Sequence, residues 1–363
     1  MLYVKPDYYK EFSCIADKCE DTCCAGWKIV IDKETLKKYR KISGPFKKRM
    51  RSSVNWLTGT FKQDKEKRCA FLNDKNLCDL YLAQGEDGFC HTCSSYPRHT
   101  EEFEGVREIS LSVSCPEVAR ILMDRMAPVS FESYEDDVEE EYEDFDPFLF
   151  SVLEDARNVM IKILQDRSMS IRARAAAVLE LAEEIQKRVD DGELFSCSEL
   201  IDNYEFKAEI ILVDSEETDK VLSDCAQSAF SLLYDLELLK KDWDILCRST
   251  ETILYSEDYL KYRNAFFKWK QTRAEIDIHL EQLLVYFLFT YFPGAVYDGK
   301  IFVKAIMAVY CVWMIEELWI ARWLENGKSL ERIEMTELVY RFSREVEHSD
   351  KNLKMLEEAL DEP

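Results

Sequence analysis

Cys14-Ile-Ala-Asp-Lys-Cys19-Glu-Asp-Thr-Cys23-Cys24, then Cys69, Cys78, Cys90-His91-Thr92-Cys93 and Cys115, place nine of thirteen cysteines within 102 of the chain's 363 residues. An even spread would put about four in the first 115 positions, so the clustering carries information. The first group reads C-x4-C-x3-C-C and the second C-x8-C-x11-C-x2-C-x21-C. Thiols this dense in one segment serve either disulfides or metal, and the compartment decides between them.

The segment Met1–Phe12 carries Lys5, Asp7, Lys10 and Glu11 and has no apolar stretch of secretory type. The longest uncharged apolar run, Ala305–Ile315, is shorter than the roughly 20 residues a membrane span needs. It sits between Lys304 and the Glu316-Glu317 pair and reads as a buried helix. We therefore expect a soluble, cytoplasmic protein without a membrane partner. In a reducing compartment the cysteines point to metal rather than to structural disulfides.

The net charge of −23 is unevenly spread. Residues 1–131 hold 22 Lys and Arg against 19 Asp and Glu, whereas residues 132–363 hold 26 against 52. So acidic a chain is a poor partner for nucleic acid, and its acidic part suits a lysine-bearing surface or simply solvates helices. Between Glu34 and Asp64 there is no acid, while nine cations from Lys37 to Lys62 are interleaved with Phe46, Trp56 and Phe61. That stretch reads either as a docking face for an acidic segment or anionic ligand, or as a solvated helix over 33–41 followed by a loop at Ser43-Gly44-Pro45.

Working outward, residues 26–32 alternate Trp27, Ile29 and Ile31 and predict a short strand. Residues 66–98 lack helical periodicity and are broken by Asn73-Asp74, Gly85, Gly88 and Pro97, as expected of a loop region held by ligands. Pro116 behind Cys115 predicts a helix over 116–126. Ten acids in the fifteen residues Glu132–Asp146 predict an acidic linker or exposed loop. Beyond it the pattern is helical: 148–166, 171–189 with Ser170 as N-cap, 219–247 with a break, 256–270, 275–292, 300–326 and 330–348. The fold class is mainly α, with an irregular, metal-nucleated cysteine-rich unit over 1–131, the acidic 132–146, and a helical bundle over 147–363. Leu283, Tyr286, Phe287, Phe302, Ile306 and Trp313 are expected in the bundle core.

Cys90-x2-Cys93 is a turn whose two sulfurs can reach one metal, and Cys69 and Cys78 bracket a hairpin-like excursion. Adjacent Cys23 and Cys24 point in different directions, so one binds and the other supports. The expected core ligands are Cys69, Cys78, Cys93 and one of Cys23 or Cys24, with Cys14, Cys19, Cys90 and Cys115 in a second rank or second site. Spacing leaves zinc and iron–sulfur both open. His91 and His99 are spare candidates, and Cys197, Cys225, Cys247 and Cys311 are expected in the core. The ten glycines include no G-x-G-x-x-G loop after a strand, so no Rossmann-type binding loop is visible.

Phe12-Ser-Cys-Ile-Ala-Asp-Lys-Cys-Glu-Asp-Thr-Cys-Cys-Ala-Gly-Trp27 followed by Ile31-Asp32 resembles the opening of the bacterial flagellin lysine N-methylase family. So do Cys69-Ala-Phe-Leu, Leu77-Cys78-Asp-Leu, Cys93-Ser-Ser-Tyr-Pro-Arg98 and Ser114-Cys115-Pro-Glu, and the helical run Glu281–Pro293, with Gln282 where an Asn is expected. The resemblance implies methyl transfer from S-adenosylmethionine to lysine side chains of flagellin, with a [4Fe-4S] cluster taking part. Trp27 and Tyr96 would then stack on adenine or face the sulfonium, and Arg98 would pair with the donor's carboxylate. The alternatives for these three are plain packing and a surface ion pair. The alternative for the whole chain is a non-catalytic cysteine-rich zinc- or iron-binding module that docks a partner protein.

Overall fold

The computed structural model describes residues 1–205, 216–255 and 258–361, with side chains in the second stretch described from residue 223. In chain order the first part runs β1 (Leu2–Pro6), α1 (Lys33–Lys41), α2 (Phe46–Ser53), the small hairpin β2 (Val54–Asn55) and β3 (Thr60–Phe61), α3 (Asp79–Gln84) and α4 (His91–Ser95). A second hairpin, β4 (Arg98–Phe103) and β5 (Val106–Leu111), follows, then α5 (Pro116–Asp124) and β6 (Phe131–Glu135). The β4–β5 turn is two residues long, and Gly105 takes its left-handed position at φ +73°.

The first 131 residues are more regular than their sequence announces. β4, β5, β1 and β6 form one sheet in that order, with β1 parallel to β5 and antiparallel to β6. A parallel pair needs a long crossover. Here the crossover from β1 to β5 carries eight of the nine clustered cysteines, so the cysteine-rich segment is an excursion from a sheet. The first residues of the acidic run form the edge strand β6, where Glu132 meets Lys10 at 2.7 Å and Tyr134 stacks on Tyr3. Residues 136–146 carry neither helix nor strand.

Residues 26–32 form no strand. Only single bridges join Ala25 to Arg68 and Val30 to Thr60, and Gly26 turns the chain at φ +96° where the stretch begins. The alternation is nonetheless real: Ile29 and Ile31 are buried in a small apolar cluster with Tyr39, Met50, Phe61 and Phe71. The helix over 33–41 forms as expected, because Asp32 accepts from the Thr35 amide as its N-cap.

The helical half runs α6 (Pro147–Gln165), α7 (Ile171–Asp190), α8 (Cys197–Asp202), α9 (Glu216–Ser231), α10 (Lys241–Leu254), α11 (Tyr259–Lys270), α12 (Ala274–Tyr291), α13 (Ala295–Asp298), α14 (Ile301–Glu325), α15 (Arg332–Glu347) and α16 (Asp350–Asp361). Ser170 caps α7 as the pattern predicts, and Asp146, the last residue of the acidic run, caps α6 ahead of Pro147. Ser256, the expected start of the helix that ends at Lys270, lies outside the described residues. The expected stretch 219–247 is divided into α9 and α10, and α16 adds a helix that the pattern had not signalled.

α14 is the central helix, packed by α7, α10, α12, α15 and α16. Leu283, Tyr286 and Phe287 are buried as expected, whereas Phe302, Ile306 and Trp313 are only partly buried, Phe302 and Trp313 still packing against the core. They share one stripe of α14, four and seven residues apart, which its neighbours leave partly open. Residues 103–123 contribute Phe103, Leu111, Val113, Val118 and Leu122 to the same apolar core as the helices. Two buried carboxylates fix the layers: Glu108 of β5 pairs with Arg157 of α6 at 2.5 Å, and Glu281 of α12 pairs with Arg167 and Arg174 at 2.9 and 2.8 Å. No described helix is long and apolar enough to cross a membrane.

One core histidine makes a testable liability. His279 on α12 is 1% exposed, neither ring nitrogen meets a hydrogen-bond partner, and burial pushes its pKa down to about 4. The native state thus refuses a proton that the unfolded chain takes below its ordinary 6.5, so stability is lost as pH falls from 6.5 toward 4. His279→Leu should raise the unfolding free energy by about 1–3 kcal/mol at pH 7, and by more at pH 5. Urea midpoints at the two pH values read this directly, and a gain that does not widen at pH 5 would contradict it.

Candidate functional site

The excursion between β1 and β4 gathers its thiols around the small apolar cluster. Cys69 and Cys90 are buried within it, and Cys24, Cys78 and Cys93 pack against it. The Cys69 amide donates to the Cys24 carbonyl at 2.8 Å, which holds the two segments side by side. Asn73 organises the Cys69–Cys78 excursion: its side-chain oxygen accepts from the amides of Lys75 and Leu77, and Asn76 turns at φ +56°. Cys90 is the N-cap residue of α4, and the neighbouring Cys93 thiol lowers its pKa. The Cys23 thiol likewise lowers the Cys24 pKa. Burial pushes the Cys69 thiol up to about 12. Cys24 lies within the electrostatic reach of Cys69, Cys78 and Cys93, whereas Cys115 faces Cys14, Cys19 and Cys23.

The thiols therefore fall into two neighbourhoods that share the Cys23–Cys24 pair. Their chemistry suits a thiophilic metal centre. Among the described residues, however, no group of three or more His, Cys, Asp or Glu side chains is arranged to hold a metal ion. His91 is exposed and His99 is bonded to Glu101 at 2.5 Å. Of the four distal cysteines, Cys197, Cys247 and Cys311 are buried, but Cys225 is exposed on α9, contrary to its expected core position.

A seam joins the cysteine-rich segment to the end of α15. Trp27 and Tyr96 come together with ring centroids 6.0 Å apart, and His348 lies 4.8 Å from the first and 5.4 Å from the second. Burial, then the charges of Arg344 and Lys240, drive His348 down to about 3, and its Nε2 is buried without a partner. Arg344, one turn earlier, pairs with Asp21 at 2.6 Å and donates to the carbonyls of Asp21 and Ser114 at 2.7 and 3.2 Å. Lys240 also pairs with Asp21, and its stem fills the space beside Gly26, where a Cβ would meet Cε at 3.2 Å. Glu345 accepts from the amides of Leu239 and Lys240, both at 2.8 Å, and so clamps the segment that carries this lysine. Glu347 takes hydroxyl donors from Tyr286, Tyr291 and Ser343, and Tyr286 in turn accepts from the Val113 amide.

Of the three residues singled out from sequence for the methyl donor, Trp27 and Tyr96 meet at this seam. Arg98 is exposed elsewhere, donating to the Tyr9 hydroxyl at 3.0 Å and lying 5.5 Å over the Phe12 ring. Sequence reading missed Asp21, Lys240, Arg344, Glu345, Glu347 and His348. The last four share one signal, the pattern Arg344-Glu345-Val346-Glu347-His348, four ionisable residues closing a helix whose Arg344 and Glu345 are buried.

The family described as the FliB lysine N-methylase C-terminal domain matches residues 157–363, which includes all of α15 and α16. A lysine N-methylase of Salmonella typhimurium is 34% identical over 131 residues, covering 33% of this chain and 32% of that protein. The flagellar biosynthetic protein FliU of Salmonella muenchen is 34% identical over 131 residues, covering 33% of this chain and 76% of that protein. The matched part of the chain thus spans about a third of the length of that lysine N-methylase. No solved structure matches.

Proposed function

The chain belongs to the FliB lysine N-methylase family, and from that membership we propose that it is a protein lysine N-methyltransferase acting on flagellin with S-adenosylmethionine as donor. The observation that supports the reading most is the seam. The family's matched region includes α15, and α15 reaches into the cysteine-rich segment through Arg344 and the following His348. Lysine methylation needs a neutral amine, so the site must remove or withhold a proton. It also needs a water-poor wall for a sulfonium, which aromatic faces provide. Trp27 and Tyr96 are the proposed donor-facing rings, and the exposed guanidinium of Arg98 is the candidate for the donor's carboxylate.

The proposed metal group is a [4Fe-4S] cluster, with zinc as the alternative, held by Cys69, Cys78, Cys93 and one of Cys23 or Cys24. Such a cluster, when bound, supplies an iron that can take amino and carboxylate groups. Cys14, Cys19, Cys90 and Cys115 stand in support or at a second centre. The protein's own residues do the rest: Arg344 and Lys240 hold the 21–26 segment in place, and the three rings exclude water from the seam.

The test is to incubate the anaerobically purified protein with flagellin and S-adenosylmethionine and map added methyl groups on lysines by mass spectrometry. Iron, sulfide and zinc are measured on the same sample. Methyl additions that require both components are expected, with iron and sulfide lowered by Cys69→Ser, Cys78→Ser or Cys93→Ser. Metal-replete protein that adds no methyl group would overturn the enzyme reading in favour of a binding module. Unchanged metal content in all three variants would overturn the ligand set.

A further inference from the structure

The strongest charged feature outside the seam is the face of α1 and α2. Residues 33–53 hold nine cations against Glu34 alone, a local +8, so the remainder of the chain carries −31. In so acidic a molecule, intramolecular carboxylates would be expected to cover such a face. They do not. Arg49 reaches Asp79 at 3.0 Å and Lys38 reaches the Asp87 carbonyl, while the other seven cations have no carboxylate partner among the described residues. All nine are exposed.

Apolar groups flank the stretch in sequence. Leu57, at the tip of the β2–β3 hairpin, is 95% exposed, Val30 is 58% exposed, and Arg40 lies 5.8 Å over the half-buried ring of Trp56. The face is also firmly joined to the thiols. Asp32, which caps α1, accepts from the His91 amide at 3.0 Å. Thr92 donates to the Val30 carbonyl at 2.8 Å, and Tyr39 to the Gly88 carbonyl at 2.7 Å. Whatever docks on α1 and α2 is therefore held at a fixed distance from the Cys90–Cys93 turn.

We propose that the α1–α2 face, with Val30, Trp56 and Leu57, is a docking surface for an acidic, amphipathic protein segment. Resting on the methyltransferase reading, that segment belongs to the protein whose lysines are modified. Two helices of nine and eight residues present more surface than a small anion needs, and the exposed Leu57 and Val30 ask for apolar groups in the ligand. Duplex nucleic acid is disfavoured because a long polyanion on this face would also run over the −31 remainder. A short acidic segment meets only the face.

The test uses the full-length protein and a fluorescent peptide of alternating Glu and Leu as probe, read by anisotropy at low and physiological salt. A fourfold variant, Lys37→Gln, Lys41→Gln, Lys47→Gln and Lys48→Gln, removes exposed charge without touching the core. The peptide should bind the wild type at least tenfold more tightly than the variant, more weakly as salt rises, and Leu57→Ser should weaken it further. Equal binding by wild type and variant overturns the proposal. So does a duplex DNA probe that binds more tightly than the peptide, or a salt-sensitive dimer in sedimentation that competes with the peptide. Because the readout is binding, it stands apart from methylation. If methylation is absent but the peptide binds, the docking face survives and the enzyme reading fails. If both hold, the variant should raise KM for flagellin and leave kcat unchanged.

Discussion

Arg344→Ala should lower the free energy of unfolding by about 3–5 kcal/mol, the range for breaking a buried ion pair from one side. The guanidinium is 5% exposed and its partner Asp21 only 16%. Removing it leaves the Asp21 carboxylate with Lys240 alone, and leaves the carbonyls of Asp21 and Ser114 without the donors they now have. Each orphaned carbonyl costs its desolvation. The neighbouring Arg341 is the internal control. It pairs with Asp242, which is 63% exposed, and with Glu337 on its own helix, and pairs of that kind contribute about 0–1 kcal/mol. Urea unfolding of Arg344→Ala beside Arg341→Ala measures the contrast, and equal losses would mean that the seam does not hold the cysteine-rich segment to α15. Limited proteolysis adds a local readout, because residues 14–27 should become cleavable in the first variant and not in the second.

The seam also explains what the sequence could and could not disclose. Helices with one dominant period were legible to within a few residues, as with α6 after Pro147 and α7 after its Ser170 cap, because local hydrogen bonding decides them. The sheet was not legible. β1 and β5 pair in parallel across the whole cysteine-rich excursion, and β6 joins from the far side, so no local pattern announces their register. Glu108 shows the difficulty in one residue: a charged position inside β5 looks solvent-facing until Arg157, 49 residues later, is brought to it. The same holds for the functional residues. The thiols and Trp27 were found because cysteine and tryptophan are informative where they cluster. Arg344 and His348 are common residue types in a helix, and their burial against Asp21 and Trp27 arises only when positions more than 300 apart in the chain come together. Phe302, Ile306 and Trp313 were placed in the core because apolar period alone does not say which stripe of a central helix lacks a neighbour.

Glu345 gives the second large effect, and its sign is opposite to that of most carboxylates. Burial is the leading cause that raises its pKa from 4.5 to about 7, and the charge of Asp242 adds to it. The amides of Leu239 and Lys240 and the Lys240 charge pull the other way. The side chain is 2% exposed, so burial outweighs the two amide bonds. Between pH 4.5 and 7 the native state therefore holds a proton that the unfolded chain has released. Stability is greatest below 4.5 on account of this group and is lost as pH rises through about 7, by about 3 kcal/mol in all. Glu345→Gln keeps an acceptor for the amides and removes the titration. The wild-type unfolding free energy minus that of the variant should thus fall by about 3 kcal/mol from pH 4.5 to 7.5 and level off above. Taking the difference cancels His279 and His348, which are present in both proteins and act in the opposite direction, toward low pH. A difference that stays flat across the series would show that the two amide bonds hold the carboxylate ionised despite its burial.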